Sequence, residues 1–132
     1  MKRIGILGDI GSGTTYIAKC FGFPVFNADF EVAKIYKYNR KVFQKLKKEL
    51  PNYFDSFPVK KKDILIFVES KKSEILKRLK KRKNFNMEIL NNFKKIQLSL
   101  VLKKKKSQFI IKNNFNKNSV KFRVKEIIKN LV

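Results

Sequence analysis

The apolar positions of this chain fall into short unbroken runs that alternate with stretches repeating at helical spacing. The stretch RIGILG, Arg3–Gly8, is an apolar run ending in glycine, the pattern of a buried parallel strand feeding a tight turn. Thr14–Phe21 follows with Ile17, Ala18 and Phe21 at helical spacing, and FGFP then breaks it. Pro24–Ala28, PVFNA, reads as a second strand, so that strand, glycine loop, helix and strand make a βαβ unit with a right-handed crossover. From Asp29 the period is helical through Phe30, Ala33, Ile35 or Tyr36, Val42, Phe43, Leu46 and Leu50, and Pro51 stops it.

The run DILIFVES, Asp63–Ser70, is unbroken from Ile64 to Val68 and belongs inside a sheet. A helix is predicted over KKSEILKRLKKRK, with Ile75, Leu76 and Leu79 on one side and Glu74 placed to pair with Arg78 one turn on. NMEILNNFKKIQLSL continues the helical period through Ile89, Leu90, Phe93 and Ile96. SQFIIKNN is a further short strand, and SVKFRVKEIIKNLV closes as a helix with Val120, Val124, Ile127, Ile128 and Leu131 inward. Strands alternating with helices predict an α/β fold with an open parallel sheet in a single domain over 1–132.

Composition bounds the function. Hydrophobic residues make up 43% of the 132, including 13 Phe, enough apolar surface for a core. No stretch approaches the roughly 20 uncharged apolar residues of a membrane span, and the N-terminal MKRIGILGDIG meets glycines before a signal-type apolar region can form. The expected location is the cytoplasm. A single cysteine, Cys20, leaves no internal disulfide and reads as a core residue, and the absence of His argues against a zinc-type site.

The formal charge of +23 raises nucleic acid or another polyanion as a partner. Only five of the 33 basic residues are Arg, the side chain whose planar fork makes bidentate contacts to bases and phosphates. The lysines therefore read as solvated surface, and nucleic acid is not the expected partner.

Candidate chemistry lies in Gly8-Asp9-Ile10-Gly11-Ser12-Gly13-Thr14-Thr15, which matches the phosphate-loop pattern G-x-x-x-x-G-K-[ST] at every fixed position except the lysine, where Thr14 stands. Glycines let successive backbone N–H groups turn toward phosphate oxygens, and the hydroxyl of Thr15 is placed to coordinate Mg²⁺. A lysine ammonium neutralises phosphate charge during transfer, which a threonine hydroxyl cannot do, so Thr14 is expected to impair catalysis unless another lysine, such as Lys19, takes its place. A close-packing turn is the alternative for such a glycine loop.

These segments, in this order, resemble dephospho-CoA kinase, the P-loop kinase that phosphorylates the ribose 3′-hydroxyl of dephospho-CoA with ATP. GILGDIGSGTT is similar to that family's opening TGGIGSGKS, and Asn27-Ala28-Asp29 with Ala33 to its Asp-Ala-Asp-x-x-Ala element. LIFVESKKSEILKRLKKRKNF resembles its late strand and lid helix, NMEILNNFKKIQ the following helix, and FIIKNN the last strand. The resemblance implies ATP and Mg²⁺ as cofactors and dephospho-CoA as acceptor. ATP would be bound by Gly8, Ile10, Gly11, Ser12, Gly13, Thr14 and Thr15, with Thr15 also on the metal.

It further implies Asp29 as the general base for the 3′-hydroxyl, Arg78 and Arg82 as lid arginines on the ATP phosphates, and Asn113 with Asn114 beside the adenine. Each has a structural alternative: a helix N-cap for Asp29, an exposed basic face for the arginines, an ordinary polar turn for the asparagines. The chain also departs from the family. Asn27 and Lys112 replace acidic residues, and SFPVKKK runs directly into DILIFV with no His-Pro element and no Pro-Leu-Leu-x-Glu strand. The expected fold is thus a P-loop NTPase-like sheet lacking a central strand and the CoA-binding helical insertion. It is expected to be able to self-associate through an exposed strand edge. A nucleotide- or polyanion-binding module without catalysis is the second functional expectation.

Overall fold

In a computed structural model, the chain is described over residues 2–26, 61–83, 85–96 and 99–131. Among these residues three parallel strands, β1 (Ile4–Gly8), β2 (Ile64–Glu69) and β3 (Phe109–Lys112), form a sheet of order β1-β2-β3. The register runs from Ile4 opposite Ile64 to Gly8 opposite Val68, and from Ile66 opposite Phe109 to Glu69 opposite Lys112. Five helices join them among the described residues: α1 (Thr14–Cys20), α2 (Lys72–Lys80), α3 (Met87–Ile96), α4 (Leu100–Lys106) and α5 (Lys117–Leu131).

Helices α1 and α5 pack on one face of the sheet. Ile66 and Val68 of β2 and Ile111 of β3 meet Ile17 and Phe21 from α1 and its end, and Val120, Val124 and Ile127 from α5. Alternation along β2 turns Leu65 and Phe67 the other way, and both are also buried. A strand buried on both faces has to be apolar at every position, which explains its unbroken run. Cys20 packs half-buried against the same cluster, as a core residue should.

The amino ends of the strands are fastened by polar side chains. Buried Asp63 accepts from Arg3 Nε at 3.0 Å and from the same guanidinium's Nη2 at 2.5 Å, while Ile64 N donates to Arg3 O at 2.9 Å. Gln108 brackets Leu65, accepting from its N–H through Oε1 and donating its own N–H to its carbonyl. Backbone and side-chain bonds between adjoining strands at this end leave little freedom for the register to slip.

Several sequence expectations change. Pro24, Val25 and Phe26 stand outside any helix or strand, with Phe26 exposed; Asn27, Ala28 and the expected helix from Asp29 to Leu50 lie outside the described residues. The single helix expected from Asn86 to Leu100 ends at Ile96, and a separate helix α4 starts at Leu100. Ser99 N-caps α4, its Oγ accepting from Leu102 N at 3.3 Å. Helix α5 starts two residues before the expected Ser119, because Asn116 Oδ1 accepts from the N–H groups of Asn118 and Ser119. Among the described residues no helix is long and apolar enough to cross a membrane.

Candidate functional site

The loop Gly8–Gly13 leaves the carboxyl end of β1 and enters α1, and the ends of all three strands converge on it. Asn113, just past β3, donates its N–H to Glu69 O at 2.8 Å and its Nδ2 to Ser12 O at 2.8 Å. Ser70, just past β2, donates its hydroxyl to the same Ser12 carbonyl at 3.3 Å. The loop is thus held at Ser12 by the residues just past β2 and β3. Gly11 (φ 81°) and Gly13 (φ 89°) adopt the left-handed conformation that L side chains resist. A methyl group on Gly13 would also meet Asn113 Nδ2 at 2.5 Å, so the position must remain bare.

Inside the loop, Ser12 is 1% exposed and its Oγ has no hydrogen-bond partner among the described residues. An unsatisfied buried hydroxyl costs about 1–3 kcal/mol, a cost natural folds tolerate mainly where something else completes the site. Asp9 folds back on the loop: its Oδ1 accepts from Ile10 N at 2.8 Å, and its carbonyl accepts from Ser12 N at 3.1 Å. Thr14 is half-buried and Thr15 exposed, both in the first turn of α1.

A second apolar cluster seats α2 on the loop. Ile75 and Leu79 of α2 and Leu90 of α3 are buried together, with Ile10, Leu76, Phe85 and Phe115 packed against them. The side chains of Leu79 and Ile75 lie 3.0 and 3.1 Å from where a Cβ on Gly11 would project. Ile10 therefore serves the loop through apolar contact, while its N–H is taken by Asp9. The same cluster carries Phe115, whose φ of 61° is strained for an aromatic residue and whose N–H donates to Asn113 Oδ1 at 2.9 Å. Arg78 lies with its guanidinium carbon 3.8 Å from the centroid of the Phe115 ring. The expected Glu74–Arg78 pair does not form, since the stacking partner from the β3–α5 turn takes the guanidinium.

A third element reaches the loop from the lysine-rich run. Helix α4 packs against β1 and β2, and Lys103 Nζ donates to Gly8 O at 3.2 Å. Burial lowers the Lys103 pKa, and the nearby Asp9 carboxylate opposes that shift. Lys104 Nζ, one residue on, pairs with Glu69 at 2.8 Å, and this hydrogen bond holds the Glu69 carboxyl below its ordinary range.

Of the residues proposed from sequence, Gly8, Ile10, Gly11, Ser12, Gly13, Thr14 and Thr15 form one loop, and Asn113 holds it. Asn113 Nδ2 donates to Ser12 O and its Oδ1 accepts from Phe115 N, two contacts that shape the loop; Asn114 caps the next turn, accepting from Asn116 N. Arg78 stands beside this assembly through Phe115. Arg82 lies beyond the end of α2, exposed in the turn after Lys80, rather than on a continuous helical face with Arg78. Asp29 lies outside the described residues. Lys19, the suggested substitute for the missing lysine, is exposed in the last turn of α1. The sequence reading missed Ser70 and Lys103. Ser99 before Leu100-Val101-Leu102 was the available signal for the helix that carries Lys103.

Among the described residues no group of three or more His, Cys, Asp or Glu side chains is placed to hold a metal ion. No family model matches the chain, and no curated protein matches it. Among solved structures it is similar to the crystal structure of TT1252 from Thermus thermophilus, with a TM-score of 0.66 at 16% identity over 98% of this chain and 97% of that one. That likeness is one of fold: an α/β arrangement with helices flanking a parallel sheet.

Proposed function

We propose that this chain binds ATP with its phosphates in the loop Gly8–Thr15, and that its activity is of the dephospho-CoA kinase type, transferring the γ-phosphoryl group to the ribose 3′-hydroxyl of dephospho-CoA. The observation that carries the reading is the loop itself. It has left-handed glycines, a buried Ser12 hydroxyl without a partner among the described residues, and a backbone held at Ser12 by residues just past the carboxyl ends of β2 and β3. In open parallel sheets, ligands sit beyond those strand ends, where a glycine loop offers backbone N–H groups to phosphate oxygens.

In this reading Thr15 offers its hydroxyl to Mg²⁺, which would neutralise charge on the phosphates, and Arg78 and Arg82 approach the phosphates from the exposed side. Arg78 must first leave Phe115. Asp29 accepts the proton of the 3′-hydroxyl, the role the resemblance gives it. A cytoplasmic location goes with these substrates. Pairing of two copies through the outer strands β1 or β3 also belongs to the reading and is checked by light scattering.

A second reading, nucleotide binding without transfer, is favoured by one observation: Thr14 occupies the lysine position, and Asp9 brings a carboxylate to the same loop. The two are separated by measuring ADP formation from Mg·ATP with and without dephospho-CoA, together with Mg·ATP binding. Acceptor-dependent turnover supports the kinase. Binding without turnover, even in Thr14→Lys, supports the second reading. Absence of binding in folded protein removes both.

A further inference from the structure

We infer that Lys103, carried on α4 and far from the loop in sequence, supplies the cation for a nucleotide polyphosphate held by Gly8–Thr15, the role left open by Thr14; the inference rests on the phosphate-binding reading above. The geometry is specific to this lysine. Its Nζ donates to the carbonyl of Gly8, the first residue of the loop, at 3.2 Å, although the two residues are 95 positions apart. Of the run Lys103–Lys106 it alone is withdrawn from solvent, half-buried where the next three are exposed.

Lys103 is also held in place from several sides. Ser99 caps the start of its helix, its backbone N–H donates to Ser99 O at 3.1 Å, and its carbonyl accepts from Ser107 Oγ at 2.8 Å. The Lys104–Glu69 ion pair ties the same helix to the carboxyl end of β2. A cation positioned before the ligand arrives needs little reorganisation to meet it, the condition under which a charged group contributes most to anion binding.

Its protonation points the same way. Partial burial disfavours the charged form in the free protein, and the Asp9 carboxylate offsets part of that penalty. A polyphosphate beside the loop would add several negative charges where the ammonium already stands, stabilising the charged form further. Lys19, exposed at the far end of α1, has no comparable placement.

The test measures Mg·ATP and Mg·tripolyphosphate binding by calorimetry in the full chain. The variants are Lys103→Met, Lys105→Met, Thr14→Lys, Gly13→Val and the double variant Thr14→Lys/Lys103→Met, each checked by a thermal melt. Lys103→Met is expected to weaken both ligands about tenfold or more, the worth of one charge-assisted hydrogen bond. Lys105→Met, a neighbouring exposed lysine, is expected to change them less than about twofold if bulk charge is not the cause. Recovery in the double variant supports the assignment, because a lysine at position 14 would not repair damage to α4.

Equal losses in Lys103→Met and Lys105→Met overturn the inference in favour of diffuse charge. Binding that survives Lys103→Met but is lost in Gly13→Val overturns it while leaving the phosphate-binding reading intact. Failure of both the unmodified chain and Thr14→Lys to bind overturns that reading and this inference together.

Discussion

At the amino ends of β1 and β2 the polar groups close on one another, whereas at the carboxyl ends they are left poised. Arg3 and Asp63 pair across the strands, and Gln108 satisfies both backbone groups of Leu65. At the other end Ser12 Oγ is buried without a partner among the described residues, Phe115 holds a strained φ of 61°, and Lys103 carries its charge in a half-buried place. The same three strands supply both ends, so the difference comes from what the loops bring. Strain and unsatisfied polarity persist only where the surrounding structure compensates, and they gather where a ligand belongs.

The core that joins the two ends is where a substitution has its largest effect. Ile66, in the middle of β2, has no exposed surface, and Ile66→Ala is expected to cost about 2–5 kcal/mol in urea denaturation. Both ends should fail together; a loss below about 1 kcal/mol would mean the sheet does not couple them. Asn113→Ala comes next. It removes the donor to Ser12 O and the acceptor of Phe115 N, and is expected to cost about 1–3 kcal/mol and to weaken Mg·ATP binding. Unchanged affinity would show that Asn113 does not shape the loop for a ligand.

Gly13→Ala places a methyl group at φ 89° and against the Asn113 amide, so a loss of about 1–2 kcal/mol is expected, again with weaker binding. Asp63→Asn sharpens the contrast from the opposite end: the melting temperature should fall while the Kd for Mg·ATP stays unchanged. A shift in that Kd would unite the two ends and remove the distinction drawn between them.

The smallest effect is a titration. The Lys104 hydrogen bond lowers the folded-state pKa of Glu69, so its contribution is present above the ordinary glutamate pKa and is lost as pH falls through the lowered value. The Glu69 carboxyl signal in NMR should titrate below the usual range, and Lys104→Gln should return it. No difference between the two proteins would detach α4 from β2 in solution.

Much of the fold was legible because its signals are local. IGILG, ILIFVE and FIIK stand out as apolar runs, and the helical periods of α2 and α5 survive a surface crowded with lysine. The site was half legible. The loop followed from its glycines, and Asn113 from the family resemblance, but the role of Asn113 as the loop's clamp needed the strand ends side by side. Helix α4 was hidden because four consecutive lysines resemble solvated surface, and the Ser99 cap marks its start in a single residue. Local spacing predicted Glu74 with Arg78, yet an aromatic ring from a distant turn offers the guanidinium a better-placed partner.

From its sequence alone this protein was determined to alternate strands with helices and to carry a glycine loop with a threonine where a lysine is expected. Those features are set by near neighbours along the chain: periodicity, glycine conformational freedom and capping. Which lysine reaches the loop, which side chains hold Ser12, and where Arg78 rests were decided only by the tertiary structure. The parallel register brings the carboxyl ends of three strands to one place, and residues as far apart as Gly8 and Lys103 become partners there.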